Sequence, residues 1–246
     1  MKFGLQLYTV RDLLAADFHG TLTAISKLGL DGVELASQYG GLEPRDLKRL
    51  LLDLKLEVAG MHVGLDQLET NLDFQIAAAR VLGAGYLVCP WLNAELYQHG
   101  WDAVIGRLQL VKQRLEGSGV GLAYHNHTFE LDAQPMPLEA IAAAGIPLEF
   151  DIAWAHAAGV DPSEFLKRHA GQIPLLHVKD VARVSEAAGM DGWQTVELGR
   201  GSVPIGAAVS AAQTAGVEWF VLEQDACAGN ALESVRISLE WWRARL

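Results

Sequence analysis

Between Lys2 and Gln224 the chain repeats one unit eight times: a short apolar run, then a longer amphipathic stretch. The runs are Lys2–Tyr8, Gly32–Leu35, Glu57–His62, Tyr86–Pro90, Gly121–His125, Pro147–Asp151, Leu175–Lys179 and Trp219–Gln224. They are mostly apolar rather than strictly alternating, as expected of strands covered on both faces. The stretches between them carry helix punctuation. Leu65–Leu82 stops at Gly83-Ala84-Gly85, Glu95–Glu116 at Gly117-Ser118-Gly119, Pro137–Ala144 at Gly145, and Pro204–Ala215 at Gly216. Proline near a helix start and glycine just past its end is the expected asymmetry. Strands alternating with helices imply a parallel sheet, and eight such units predict a closed α/β architecture, a single (β/α)8 TIM barrel over residues 1–246. A dinucleotide-binding open sheet would need a glycine-rich turn after the first strand, where the chain reads Tyr8-Thr9-Val10-Arg11-Asp12.

A chain of 246 residues that is half apolar can bury a full barrel core. Its net charge of −11 argues against a nucleic-acid partner, whose phosphates are gripped by lysine and arginine, but leaves room for a small anion met by a few local cations. Met1-Lys2-Phe3-Gly4-Leu5 enters a strand pattern directly, and no apolar run reaches membrane-spanning length. The expected location is cytoplasmic, with no membrane partner. Cys89 and Cys227 lie far apart, without metal spacing, and read as buried thiols. The sequon Asn126-His127-Thr128 is read as chance in a chain expected to stay inside the cell.

Active sites of such barrels lie at the C-terminal ends of the strands. Polar residues collect there in this chain. Glu34 is on the second strand, His62 ends the third, and Trp91 follows the fourth. The fifth runs into His125-Asn126-His127-Thr128-Phe129-Glu130, the sixth ends Glu149-Phe150-Asp151, the seventh His177-Val178-Lys179-Asp180, and the eighth Glu223-Gln224-Asp225. Burying these groups in a dry core would be costly, so a wet mouth is the economical placement. Strands five to eight supply a candidate ligand set of Glu130, Asp151, His177 and Glu223. Three carboxylates and an imidazole suit a divalent ion such as Mn2+, Mg2+, Co2+ or Zn2+.

With these residues placed, the chain resembles the xylose isomerase-like barrel superfamily, in its sugar phosphate isomerase/epimerase branch. The resemblance is carried by Gly32-Val33-Glu34, Tyr124-His125-Asn126-His127 with Glu130, Glu149-Phe150-Asp151 followed by Ala158-Gly159-Val160-Asp161-Pro162, His177-Val178-Lys179-Asp180, Gly199-Arg200-Gly201 and Leu222-Glu223-Gln224-Asp225. It implies metal ligands at Glu130, Asp151, His177 and Glu223, with Glu130 and Glu223 also the acid/base pair. The implied chemistry is isomerisation or epimerisation of a sugar or sugar phosphate by proton transfer next to a carbonyl, through a metal-bound enediolate. The alternative on the same scaffold is dehydration of an inosose or dehydroshikimate-type substrate. An abasic-site endonuclease fits less well, since Trp91 stands where strand four would supply a ligand, as does a non-catalytic sugar-binding barrel.

Substrate contacts are expected from Glu34, His62, Trp91, His125, His127, Lys179 and Arg200. Of His125 and His127, one is expected on substrate and the other orienting a ligand. Lys179 has two readings, a structural pair with Asp180 or Asp151 and a contact to a substrate anion. Arg200 replaces a glutamate common in relatives, and reads either as a site for a carboxylate or phosphate or as an exposed loop charge. The terminal Glu240-Trp241-Trp242-Arg243 reads as a helix packed on the barrel, with its tryptophans also suited to a subunit contact in a homo-oligomer.

Overall fold

The structure, a computed structural model, describes residues 1–36 and 39–245. Strands β1 (Lys2–Gln6), β2 (Gly32–Leu35), β3 (Glu57–His62), β4 (Tyr86–Cys89), β5 (Gly121–His125), β6 (Leu148–Asp151) and β7 (Leu175–Val178) are followed by a hairpin, β8 (Asp180–Arg183) and β9 (Trp193–Val196), and then β10 (Trp219–Leu222). The barrel closes in the order β1-β10-β7-β6-β5-β4-β3-β2, with every pair parallel. The β8–β9 pair is antiparallel and lies outside the barrel.

Two predicted helices are each split in two. Leu65–Leu82 breaks at Asn71, a non-helical residue at φ −133° and ψ 29° between helices Leu65–Thr70 and Leu72–Leu82. Glu95–Glu116 becomes Ala94–Tyr97 and Asp102–Leu115, separated by a turn in which Gly100 has φ 118°. Gly83 and Gly216 end their helices in the left-handed conformation, at φ 83° and 86°, as the punctuation predicts. The hairpin was not anticipated, because its strands are short and only partly apolar. It is tied to the barrel through Thr195, whose hydroxyl donates to Ala226 O and accepts from Ala226 N.

The outer faces of the strands meet the helices in the main core. Phe150 stacks on Phe165 at 4.5 Å, and Trp242 of the C-terminal helix Ala231–Arg245 stacks on Phe3 at 4.0 Å. The terminal helix therefore packs on the barrel. Inside, a smaller apolar cluster that includes Val88, Ala123, Leu175, Trp219 and Val221 fills the barrel below the site. Both cysteines are free thiols, and burial pushes the Cys89 thiol up to about 12. No described helix is long and apolar enough to cross a membrane.

Candidate active site

Side chains along a strand point alternately to its two faces, so residues two apart share the barrel interior. Above the apolar plug this parity presents His125 after Ala123, both Glu149 and Asp151, His177 after Leu175, and Glu223 after Val221. Strand register then sets neighbours side by side: His125 is level with Glu149, Asp151 with His177, and Gln6 with Glu34.

The donors form two layers that share two histidines. In the upper layer His125, Asp151, His177 and Glu223 each place one ligand atom within 4.8 Å of the others. In the lower layer His62, His125, Glu149 and His177 do the same. His177 belongs to both through its two nitrogens, with Nδ1 2.9 Å from Glu223 Oε2 and Nε2 2.7 Å from Glu34 Oε2 and 3.1 Å from Glu149 Oε2. His125 does likewise, with Nδ1 3.2 Å from Glu149 Oε2 and Nε2 4.0 Å from Asp151 Oδ2. His62 Nε2 is 2.7 Å from Glu149 Oε2 and 3.2 Å from Glu34 Oε2. Gln6 donates to Glu34 Oε2 at 2.7 Å. Gly60 leaves space for that carboxylate, since a Cβ there would stand 2.6 Å from Glu34 Oε1.

Asp151 is held on three sides. Its Oδ1 accepts from the amides of Ala153 and Trp154, both at 2.8 Å, capping the helix Ile152–Ala157. Asn126 Oδ1 accepts from its backbone N–H at 2.9 Å. Its Oδ2 turns inward to Lys179 Nζ at 3.0 Å. That ammonium also lies 2.8 Å from Glu223 Oε2 and 2.8 Å from Asp225 Oδ2.

Burial opposes every charge here, and the partners decide which charges survive. Burial works against His177 and His62 as cations, but the surrounding carboxylates prevail, holding His177 well above its ordinary range and His62 up at about 10. Burial would raise Glu34 and Glu223, but the histidines lower Glu34, and Lys179 and His177 lower Glu223. Burial raises Glu149, and its neighbour Glu34 adds to the effect. His125 is driven well below its usual range, and His127 down to about 3, by burial and by nearby positive charge.

Glu223, His62, His125 and His127 line a cavity of about 470 Å³ at this end of the barrel, together with Asp225, Tyr8, Pro90, Ala36, Trp91 and Met190 of the hairpin segment. The structure thus brings together Asp151, His177 and Glu223 of the expected ligand set, and lines the cavity with His62, Trp91, His125 and His127 of the expected contacts. Glu34 and Lys179 lie beneath its surface, fully buried.

Glu130 departs from the expected ligand set. It belongs to neither layer and does not line the cavity. Its carboxylate turns back into the loop after β5, accepting from Tyr124 Oη at 2.6 Å and His127 N at 2.7 Å. Burial raises it to about 7, against the pull of those two donors. The β5 member of the upper layer is His125. Arg200 is likewise not among the residues lining the cavity. It is exposed and pairs with Glu197 at 3.1 Å, while Gly199 N and Gly201 N on either side donate to Asp180 Oδ2 at 2.9 Å. Glu149, Asp225, Tyr8 and Met190 were not singled out from sequence. Parity with Asp151 was the available signal for Glu149, and parity with Glu223 for Asp225, but nothing local marked Tyr8 or Met190.

Two imidazoles and two carboxylates at this spacing suit a borderline divalent ion. Asp151 Oδ2, buried with an ion pair but no aligned hydrogen bond, keeps a coordination position available. The donor set present therefore fits a metal.

A family model described as xylose isomerase-like TIM barrel matches residues 22–245. The chain is 28% identical over 189 residues to the rhizopine catabolism protein MocC of Rhizobium meliloti, a match covering 65% of this chain and 56% of that protein. It therefore spans little more than half the length of that relative. Among solved structures, a sugar phosphate isomerase/epimerase from Parabacteroides distasonis superposes with a TM-score of 0.81 at 18% identity, covering 98% of this chain and 97% of that one. The IOLI protein, solved with a bound zinc atom, superposes with a TM-score of 0.80 at 17% identity, covering 98% and 96%. With its closed eight-stranded parallel barrel and a family match over nearly its whole length, this chain belongs to the xylose isomerase-like TIM barrel family.

Proposed function

We propose that this protein is a divalent-metal-dependent isomerase or epimerase of a sugar-like ketone, working by proton transfer at a carbon next to the carbonyl. The observation that carries the reading is the upper layer of His125, Asp151, His177 and Glu223, set at the floor of a cavity large enough for a small polyol. The names of the solved neighbours, an isomerase/epimerase and a zinc-bound barrel, support it. A bound divalent ion would supply Lewis-acid stabilisation of negative charge developing on the substrate oxygens.

The chain's own residues do the rest. Asp151 is fixed by Ala153, Trp154 and Asn126, so its inward oxygen Oδ2 is pre-aimed. Glu34 and Glu149 fix the rings of His177 and His62 from below. Glu223 is held ionised and lines the cavity, which makes it the base. Glu130 does not line the cavity, so the second proton-transfer group is sought among the residues that do. His62 lines the cavity with its Nε2 anchored by Glu149 and Glu34, and we assign the role to it.

Metal-stripped and reloaded protein should be incubated in D2O with a panel of ketoses, inososes and their phosphates, and followed by NMR. Deuterium should enter the carbon next to the carbonyl only in the reloaded sample, and Glu223→Gln should slow it at least about a hundredfold. Loss of water with a new enone absorbance would assign the dehydratase reaction instead. Metal-independent exchange would reject the proposal.

A further inference from the structure

Building on that reading, we infer that the substrate is a neutral, unphosphorylated polyhydroxy ketone, although solved neighbours bear the name sugar phosphate isomerase/epimerase. Recognition of a phosphate or carboxylate calls for a guanidinium, an ammonium or a helix N-terminus aimed at it. Among the described residues lining the cavity none is lysine or arginine. Ser37 and Gln38, beside lining residue Ala36 in the chain, are uncharged by type.

The nearby positive charges are paired with carboxylates or stand outside the cavity lining. Lys179 lies under the floor, fully buried, between Asp151, Glu223 and Asp225. Arg11 stacks over the Tyr8 ring at 4.1 Å and gives Nη1 to the carbonyls of Tyr8 and Asp225. Arg200 pairs with Glu197 and does not line the cavity. His62 faces the cavity, but its Nε2 is matched by Glu149 and Glu34. The amides at the start of helix Ile152–Ala157 are taken by Asp151.

The charge balance agrees. Asp151 and Glu223 together offset a divalent ion, and Asp225 offsets Lys179. An anionic substituent would meet the carboxylates of Glu223 and Asp225, which line the cavity where no lysine or arginine does among the described residues. The opposite wall offers an apolar face instead. Trp91 is 46% exposed, and its ring is braced edge-on by His127 at 4.6 Å and Phe129 at 5.3 Å. Tyr97 stacks behind Phe129 at 5.0 Å. Such a surface suits the C–H face of a polyol, which carries no charge and presents its hydroxyls at the edge.

The test is calorimetric titration of the metal-reloaded protein with matched pairs: D-fructose against D-fructose 6-phosphate, D-tagatose against D-tagatose 6-phosphate, and an inosose against the carboxylate 3-dehydroshikimate. The neutral member of at least one pair should bind at least about tenfold more tightly than its anionic counterpart, roughly the weight of one charged contact. Met190→Arg, which sets a guanidinium on the cavity wall, should shrink or invert that preference. Trp91→Ala should weaken the neutral ligand about tenfold. Circular dichroism checks the folding of both variants. Tighter binding of the anionic member throughout, or no binding of any neutral member, overturns the inference. Solvent deuterium exchange on the same samples separates this result from the parent reading. A neutral ligand that binds without exchange sinks proton transfer but leaves the substrate class standing. A phosphate that binds and exchanges does the reverse.

Discussion

Lys179 Nζ stands 3.0 Å from Asp151 Oδ2, and both side chains are wholly shielded from solvent at the ends of neighbouring strands. The ammonium answers Glu223 and Asp225 as well, so one cation holds three carboxylates at the barrel mouth. Replacing Lys179 by Met keeps the apolar stem and deletes the charge. Breaking a buried pair by removing one partner costs about 3–5 kcal/mol, because the remaining charges stay buried without compensation. Urea unfolding of Lys179→Met should show a loss of that order, partly restored by millimolar Mn2+ or Zn2+. An unchanged midpoint would mean that the pairs contribute nothing net.

His125 stands in the donor layer where the sequence reading expected Glu130, and metal content separates the two assignments. His125→Ala removes a donor of the upper layer and should weaken ion binding at least about a hundredfold, beyond the loss typical of an outer-shell change. Glu130→Gln should retain near-stoichiometric metal by plasma emission spectrometry, since Glu130 stands in neither layer. The reverse pattern would restore Glu130 as a ligand.

The raised Glu130 carboxyl makes a signed pH prediction. Its folded pKa of about 7 exceeds the roughly 4.3 of an unfolded glutamate, so the native state binds this proton more tightly. The corresponding stability is fully present below about pH 4 and is lost as pH rises through 7. Glu130→Gln cannot titrate. Its unfolding free energy relative to wild type should therefore rise between pH 5 and 8, as measured by urea titration at each pH. A constant difference would show that Glu130 titrates normally.

Gly60 is required by its neighbour rather than by its own backbone. A Cβ there would stand 2.6 Å from Glu34 Oε1, whose side chain is fully buried. Gly60→Ala should cost about 1–3 kcal/mol, as overpacking of a filled interior does, and should displace Glu34 from His62 and His177. Thermal unfolding measures the first effect. NMR of the histidine rings measures the second, with unmoved resonances counting against it.

The local sequence determined the barrel and its polar end. Eight apolar runs covered on both faces, punctuated by helix-stopping glycines, leave few alternatives to a closed parallel sheet; position at the strand ends sets Asp151, His177 and Glu223 at one end, and period-two alternation turns them inward. Those are short-range constraints, visible along the chain. Tertiary structure decided what the strands could not state. Glu130 lies beyond the end of β5, where parity no longer applies, and the Tyr124 hydroxyl six residues back turned its carboxylate away from the cavity. His125, still on the strand, kept its inward direction and took the place beside Asp151. Glu149 became a partner of three histidines only because register set β5 and β7 on either side of it and closure brought His62 across. Arg200 was drawn outward to Glu197 while Asp180 gathered the amides around it, a loop geometry set by groups some twenty residues away in sequence. Pairings across a closed barrel depend on strand stagger and loop closure, which side-chain type along one strand does not encode.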